Sequence, residues 1–215
     1  RALLSSYLYY KKKSFDFDYL NKIEQFPSKK YLNTFLNDFS DPQKTPKHWL
    51  PAQKKINIKE KFKFLKTHNA LCTINGYNFT DKENTLAAIY IVREPRNIIT
   101  SLSNHYDISI DSAYDFLTNK RKIIFSKDVS KSGSTLEERG NAHFIGSWNE
   151  HYNSWKKIGF APIKIVKYED LIVDTGKTFL SILNFLSSFM SIKIEKNKID
   201  QAVNSCSFDE LKKKE

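Results

Sequence analysis

The chain has 215 residues, of which 40% are hydrophobic, so it is long enough to bury a sizeable core. Aromatic residues are plentiful whereas Gly and Pro number only 6 each, which excludes a low-complexity or collagen-like chain. The formal net charge of +11 favours an anionic partner (a nucleotide, a nucleic acid or a membrane surface), although dispersed lysines are equally typical of a solvated surface. With no internal repeat and no long Gly/Ser/Pro linker, residues 1–215 are expected to form a single domain.

The cysteines and the apolar segments of the sequence indicate which cellular compartment to expect, and whether to expect a metal site or a membrane-spanning helix. Cys72 and Cys206 are far apart in the sequence, which indicates neither a disulfide framework nor a metal-ligand cluster. We therefore expect a reducing compartment, the cytoplasm, and no metal. No apolar run reaches the ~20 residues of a membrane-spanning helix. The first residue is Arg1 rather than Met, so the lack of a visible signal peptide carries no weight.

Hydrophobic periodicity predicts helices that alternate with strands. The expected elements, in chain order, are a helix with Leu3, Leu4, Tyr7 and Leu8 on one face before the lysines 11–13, a short helix at 31–36, a loop at 41–51, a strand at 62–65, a strand at 87–92, a helix from Pro95, a helix at 143–157, a strand at 162–166 and a helix at 175–189. The run 87–92 has no polar alternation, which is typical of a central strand covered on both faces. This order predicts the α/β class, with three α/β/α layers around a mostly parallel central sheet.

Polar segments follow three of the predicted strands. They are Lys66-Thr67-His68, Arg93-Glu94-Pro95-Arg96 and Tyr168-Glu169-Asp170. Ligands of such sheets bind beyond the carboxyl ends of the strands. We therefore expect the three segments to face one crevice.

Arg93 and Ser101 form the first candidate binding pair. A guanidinium at a strand end and a hydroxyl in the second turn of the following helix can together bind a phosphate. Alternatively, Arg93 forms an ion pair with a carboxylate on a neighbouring loop. The segment Ala-Ile-Tyr-Ile-Val-Arg-Glu-Pro-Arg-Asn-Ile-Ile-Thr-Ser, residues 88–101, resembles the 3′-phosphate-binding segment of the cytosolic-type sulfotransferases, with Glu94 and Asn97 where that family often has Asn and Asp.

The resemblance implies a P-loop-NTPase-like sulfotransferase fold and the donor 3′-phosphoadenosine-5′-phosphosulfate (PAPS), whose 3′-phosphate Arg93 and Ser101 would hold. From its residue type alone, His68 can be a structural hydrogen-bonding group or a general base near neutral pH. Lys66-Thr67-His68 is similar to the family's catalytic Lys-Thr-His segment. That likeness implies that His68 is the general base of an in-line transfer and that Lys66 neutralises charge on the leaving oxygen.

Further segments of the same family follow in order. Residues 165–171 resemble its Tyr-Glu-Asp segment, which implies that Tyr168 borders the adenine. Cys206-Ser207-Phe208 resembles its Thr-Ser-Phe segment, so Cys206 and Phe208 are implied adenine contacts, with Cys206 in place of the Thr. Residues 146–155 resemble its Trp-rich helix, in which Trp148 and Trp155 are expected as core aromatics and His151 as a structural residue.

Two family segments have no match in the chain. The Lys-Ser-Gly loop that holds the 5′-phosphosulfate is not found, and residues 131–135 (Lys-Ser-Gly-Ser-Thr) are expected to be a surface loop instead. Residues 1–8 resemble the helix that follows that loop, and the Arg-Lys-Gly segment near the carboxyl end is also missing. The expectation is a fragment cut at both ends that binds the donor poorly and is inactive.

Two other functions remain open. A basic nucleic-acid-binding module is suggested by lysines interleaved with Tyr and Phe, and a nucleotide kinase by the shared architecture. The sulfotransferase interpretation predicts a small-molecule, lipid or carbohydrate acceptor and no nucleic acid. Residues 41–58 and 106–139 are expected on the acceptor side.

Overall fold

The computed structural model describes residues 1–9, 16–35, 41–59, 62–127 and 139–213. Its strands pair two by two, with β1 parallel to β2, β5 parallel to β8, and antiparallel pairs β3–β4 and β6–β7. The strands are β1 (Glu24–Gln25), β2 (Leu65–Lys66), β3 (Thr73–Ile74), β4 (Tyr77–Asn78), β5 (Ala88–Val92), β6 (Ile123–Lys127), β7 (Arg139–Phe144) and β8 (Ile163–Lys167). The parallel pairs and the alternation with helices confirm the predicted α/β class.

Helices separate most of these strands. They are α1 (Ala2–Tyr9), α2 (Lys29–Leu32), α3 (Trp49–Lys59), α4 (Pro95–Tyr106), α5 (Ile110–Thr118), α6 (Trp148–Lys156), α7 (Tyr168–Val173), α8 (Thr175–Ser187), α9 (Lys196–Ser205) and α10 (Phe208–Lys212), with 3₁₀ helices at Phe17–Lys22 and Thr45–His48. The predicted helices at the amino terminus, after Pro95 and after Thr175 are confirmed. Among the described residues, no helix has both the length and the hydropathy needed to cross a lipid bilayer.

The strands β5 and β8 lie between two hydrophobic clusters. Successive side chains of a strand point to opposite faces, so Ile89 packs against one cluster while Ala88 and Tyr90 pack against the other. Helices α1, α8 and α9 supply most of the first cluster, around Phe179, and α2, α3 and α6 contribute to the second, around Trp49. This is the three-layer arrangement expected from the sequence. Coverage of β5 is incomplete, because Ile91 is 47% exposed.

The predicted helix at 143–157 is wrong in its first five residues. Residues up to Phe144 belong to β7, where His143 pairs with Ile124 of β6. Gly146 then adopts φ +64°, a left-handed conformation that breaks any continuous helix. Ser147 starts α6 with a capping box, in which its side chain accepts from the Glu150 N–H and the Glu150 carboxylate accepts from the Ser147 N–H.

The predicted loop at 41–51 is also wrong beyond residue 44. A 3₁₀ helix begins at Thr45, and α3 follows from Trp49. Pro46 and Pro51 lie in the first turns of these helices, where a missing N–H costs no intrahelical hydrogen bond. Smaller differences are that β2 starts at Leu65 rather than at residue 62, and that α2 covers Lys29–Leu32. The predictions for residues 11–13, 36 and 131–135 lie outside the described residues.

Candidate active site

The three polar segments lie at the carboxyl ends of the parallel strands. Lys66 ends β2 and leads to His68, Arg93 follows β5, and Tyr168 follows β8. Strands β5 and β8 are hydrogen-bonded neighbours in a register that pairs Val92 with Lys167. Arg93 and Tyr168 therefore leave the sheet side by side.

The guanidinium of Arg93 lies over the ring of Tyr168, with 4.9 Å between Cζ and the ring centroid. This is a cation–π geometry, and it holds the guanidinium fork at the end of β5. The Glu94 N–H donates to Oε1 of Glu169 at 3.0 Å and is the main cause of a lowered pKa of Glu169. Within the described ranges, no carboxylate lies at ion-pairing distance from Arg93, so the ion pair considered from the sequence is not observed.

The other proposed nucleotide contacts are positioned as follows. Ser101 is exposed on the second turn of α4, Cys206 ends α9, and Phe208 begins α10 with its side chain 77% exposed. Neither Ser101 nor Phe208 is brought into hydrogen-bond or ring contact with Arg93 or Tyr168 in the described part of the chain. The structure thus joins one pair of the predicted nucleotide residues by direct contact.

Lys66 and His68 lie in a half-buried, positively charged setting. Burial, followed by the charge of Arg1, lowers the pKa of Lys66. Burial also lowers the pKa of His68 to about 4, with further contributions from Lys66, His151 and Arg1. At neutral pH the imidazole of His68 is therefore uncharged and able to accept a proton.

His143 is a neighbour of His68 that the sequence did not indicate. Their ring centroids are 5.6 Å apart and the ring planes nearly perpendicular, at 81°. Burial lowers the pKa of His143 to about 4, and its Nε2 accepts from the side-chain amide of Gln25 at 3.0 Å, which leaves the proton on Nδ1. That Nδ1 has no hydrogen-bond partner among the described residues. No periodic signal in the sequence indicated it, because Asn141, Ala142 and His143 are all buried and burial therefore does not alternate along this part of β7.

A lysine-lined cavity lies apart from these strand ends, between α2 and α3. Its volume is about 400 Å³, and its walls include Lys30, Lys55, Lys59 and Lys63. Glu24 forms ion pairs with Lys30 at 2.7 Å and with Lys63 at 3.1 Å. Part of the positive charge in this cavity is therefore already neutralised.

The described residues contain no group of three or more His, Cys, Asp or Glu side chains arranged to hold a metal ion. A search among curated proteins found no match. Of the solved structures that match, one is mouse sulfotransferase SULT7A1 complexed with PAP, with a TM-score of 0.50 and 18% sequence identity. The match covers 88% of this chain and 64% of that one, so the chain spans somewhat less than two thirds of the mouse protein.

At 18% identity this likeness shows a shared fold. The family model of the sulfotransferase domain matches residues 11–215, nearly the whole chain. That range contains each strand end described above, from Lys66 to Tyr168. The chain therefore belongs to the sulfotransferase family.

Proposed function

We propose that the protein moves a sulfuryl group from PAPS to a hydroxyl or amine of a small-molecule, lipid or carbohydrate acceptor. The observation that carries this proposal is the position of His68, two residues beyond Lys66 at the carboxyl end of a parallel strand, where burial keeps the pKa of its imidazole low. A neutral imidazole can take the proton of an attacking hydroxyl, whereas a protonated one cannot. The family match supports sulfuryl transfer as the reaction in which such a base would act.

His68 and Lys66 divide the chemistry in this proposal. His68 removes the proton from the acceptor oxygen as that oxygen forms its bond to sulfur. The bond between sulfur and the bridging phosphate oxygen breaks, and the ammonium of Lys66 neutralises the charge that develops on that oxygen. The products are the sulfated acceptor and 3′-phosphoadenosine-5′-phosphate (PAP), and holding both substrates in line supplies much of the rate.

Arg93 is the residue that we propose for the 3′-phosphate, together with Ser101. Its guanidinium has no ion-pair partner among the described residues and is supported by the Tyr168 ring, so its N–H groups can donate to a phosphate. Tyr168, Phe208 and Cys206 are the proposed adenine contacts. Tyr168 and Phe208 are both exposed aromatic side chains, which suits stacking on a base.

The proposed setting is a single sulfotransferase domain in the cytoplasm. The donor site is tested by calorimetric titration of PAP and of adenosine monophosphate into the full-length protein. PAP should bind more tightly, because only PAP carries the 3′-phosphate. Arg93→Ala should weaken PAP binding by about 10- to 100-fold, as expected for lost hydrogen bonds between charged groups, and should change the affinity for adenosine monophosphate little.

Arg96→Ala is the matched control. Arg96 lies on the first turn of α4, its side chain is highly exposed, and it pairs with Glu94 at 3.0 Å. Its removal should leave PAP binding unchanged. Equal affinity for the two nucleotides would contradict the proposal. Salt-sensitive binding of any polynucleotide, independent of Arg93, would instead favour the basic-module alternative.

A further inference from the structure

The segment 67–71, which follows β2 and contains His68, has no regular secondary structure. One backbone hydrogen bond ties it to β7, from the Ala70 N–H to the Phe144 carbonyl at 2.8 Å. Side chains of α6 hold the rest of its backbone. Three hydrogen bonds do this, from His151 Nε2 to the His68 carbonyl at 3.1 Å, from Trp155 Nε1 to the Asn69 carbonyl at 2.9 Å, and from the Leu71 N–H to Ser154 Oγ at 3.0 Å.

The three side chains of α6 share one face of the helix. Residues three and four apart are neighbours on a helix surface, and His151, Ser154 and Trp155 have this spacing. Trp155 is buried and His151 and Ser154 are half-buried, so water competes little for these bonds. We call these three residues the α6 clamp.

His151 is held in one tautomer by its two partners. A carbonyl oxygen can only accept, so Nε2 of His151 carries the proton that it donates to His68. Nδ1 is then an acceptor, and the hydroxyl of Tyr90 donates to it at 2.8 Å. Burial lowers the pKa of His151, partly opposed by the bond to the His68 carbonyl, so the ring stays neutral. Tyr90 belongs to β5, three residues before Arg93.

We propose that the residues of the α6 clamp are positioning residues for sulfuryl transfer, and that Tyr90 fixes the tautomer of His151. They hold the backbone from which the His68 imidazole projects, and therefore set its distance from the acceptor hydroxyl. A displacement of about 1 Å at a reacting group can cost ~10²-fold in rate. This inference rests on the proposed function, in which His68 is the general base.

Two substitutions at His151 separate positioning from packing. His151→Gln places an amide nitrogen close to the position of Nε2 and keeps a donor for the His68 carbonyl. His151→Asn is too short to reach it. With PAPS and whichever of a phenol, a primary alcohol, a sterol and a monosaccharide is sulfated fastest, H151N should lower kcat by about 10- to 100-fold and H151Q should retain most of it.

The other kinetic constants and variants sharpen this comparison. The KM for PAPS and the Kd for PAP should stay within about twofold in both variants, because residue 151 is not one of the proposed donor contacts. Tyr90→Phe should give an intermediate kcat, since it removes the hydroxyl that fixes the tautomer. Asn149→Ala, on the exposed start of α6, is the control and should leave kcat unchanged.

Amide hydrogen exchange followed by NMR tests the α6 clamp without any turnover. Ser154→Ala removes the acceptor of the Leu71 N–H, so exchange at Leu71 should accelerate by at least about tenfold. The Ala70 N–H donates to the Phe144 carbonyl at 2.8 Å and does not depend on Ser154, so its protection should persist.

The outcomes distinguish the two proposals. If the wild-type protein sulfates an acceptor and H151N is as active as wild type, or if H151N and H151Q lose the same fraction of kcat, the positioning role is wrong and the proposed function stands. Unchanged exchange at Leu71 in S154A also overturns the α6 clamp. If the full-length protein neither binds PAP nor sulfates any of the four acceptors, the proposed function fails and the positioning role fails with it.

Discussion

Trp49 and Trp155 offer a paired test of how the hydrogen bonding of a buried indole N–H affects the free energy of unfolding. Both rings belong to the second hydrophobic cluster and are buried, with exposed fractions of 0% and 7%. The indole N–H of Trp155 donates to the Asn69 carbonyl at 2.9 Å, whereas that of Trp49 has no partner among the described residues. Replacing either Trp by Phe removes a similar part of the ring. At residue 155 the substitution also breaks a hydrogen bond, whereas at residue 49 it removes an N–H without a described partner.

The difference between the two substitutions can be worked out from these contacts. Trp155→Phe leaves the buried Asn69 carbonyl without its partner, which costs about 1–3 kcal/mol beyond the lost packing. Trp49→Phe removes a buried donor that has no partner in the described part of the chain, so its removal spares the cost of burying an unpaired N–H and stabilises rather than destabilises. The polar terms alone should therefore make Trp155→Phe lower the free energy of unfolding by about 1–3 kcal/mol more than Trp49→Phe does.

Packing alone predicts the reverse order, which makes the test decisive. Trp49 makes edge contacts with Phe79 and Phe144 at 5.3 and 5.4 Å, whereas Trp155 makes one with Phe79 at 6.4 Å. The assay is urea unfolding of the two variants and the wild type, with the m-value checked for constancy. Equal losses of stability, or a larger loss for Trp49→Phe, would refute the reasoning.

Two further predictions concern the pH dependence of transfer and the start of α6. If His68 is the base, kcat/KM should stay level from pH 8 to pH 6 and fall only toward about pH 4. Burial, Lys66, His151 and Arg1 keep the imidazole of the free protein unprotonated above its lowered pKa, and an acid limb near pH 6.5 in the profile of kcat/KM would contradict this. Gly146→Ala should lower the free energy of unfolding, measured in urea, by about 1–2 kcal/mol because a Cβ is strained at φ +64°, and an unchanged value would contradict the assigned start of α6.

Much of the α/β framework could be predicted because its signals are local. The uninterrupted apolar run before Arg93 indicated a buried strand, and Pro95 followed by a periodic apolar stripe indicated α4, so both were predicted within about a residue. The segment 143–157 misled because its aromatic residues continue a helical period across Gly146. The left-handed φ of that glycine and the capping box of Ser147 and Glu150 show where the helix begins. The second has a sequence signature, Ser followed three residues later by Glu, which the aromatic period obscured.

The candidate site could be predicted only where its residues lie close together in the sequence, within a short recognisable segment. The Arg93 segment and the Lys66–His68 segment are recognisable as short strings, and the structure brings Arg93 to the Tyr168 ring as a parallel sheet requires. His143 could not be found in this way, because its relation to His68 depends on the pairing of β7 with β6 and on the distant Gln25. A contact between residues far apart in sequence leaves no periodic trace in the chain.

The α6 clamp also bears on how such an enzyme can change during evolution. A segment held in a strand ladder is fixed by backbone groups that every residue other than proline possesses, so substitutions barely move it. The segment 67–71 has one backbone bond to β7, from the Ala70 N–H, and is otherwise held by an imidazole, a hydroxyl and an indole, whose identities are set by single codons. The placement of the segment around His68 is therefore open to gradual adjustment by point mutations on α6, without any rearrangement of the sheet.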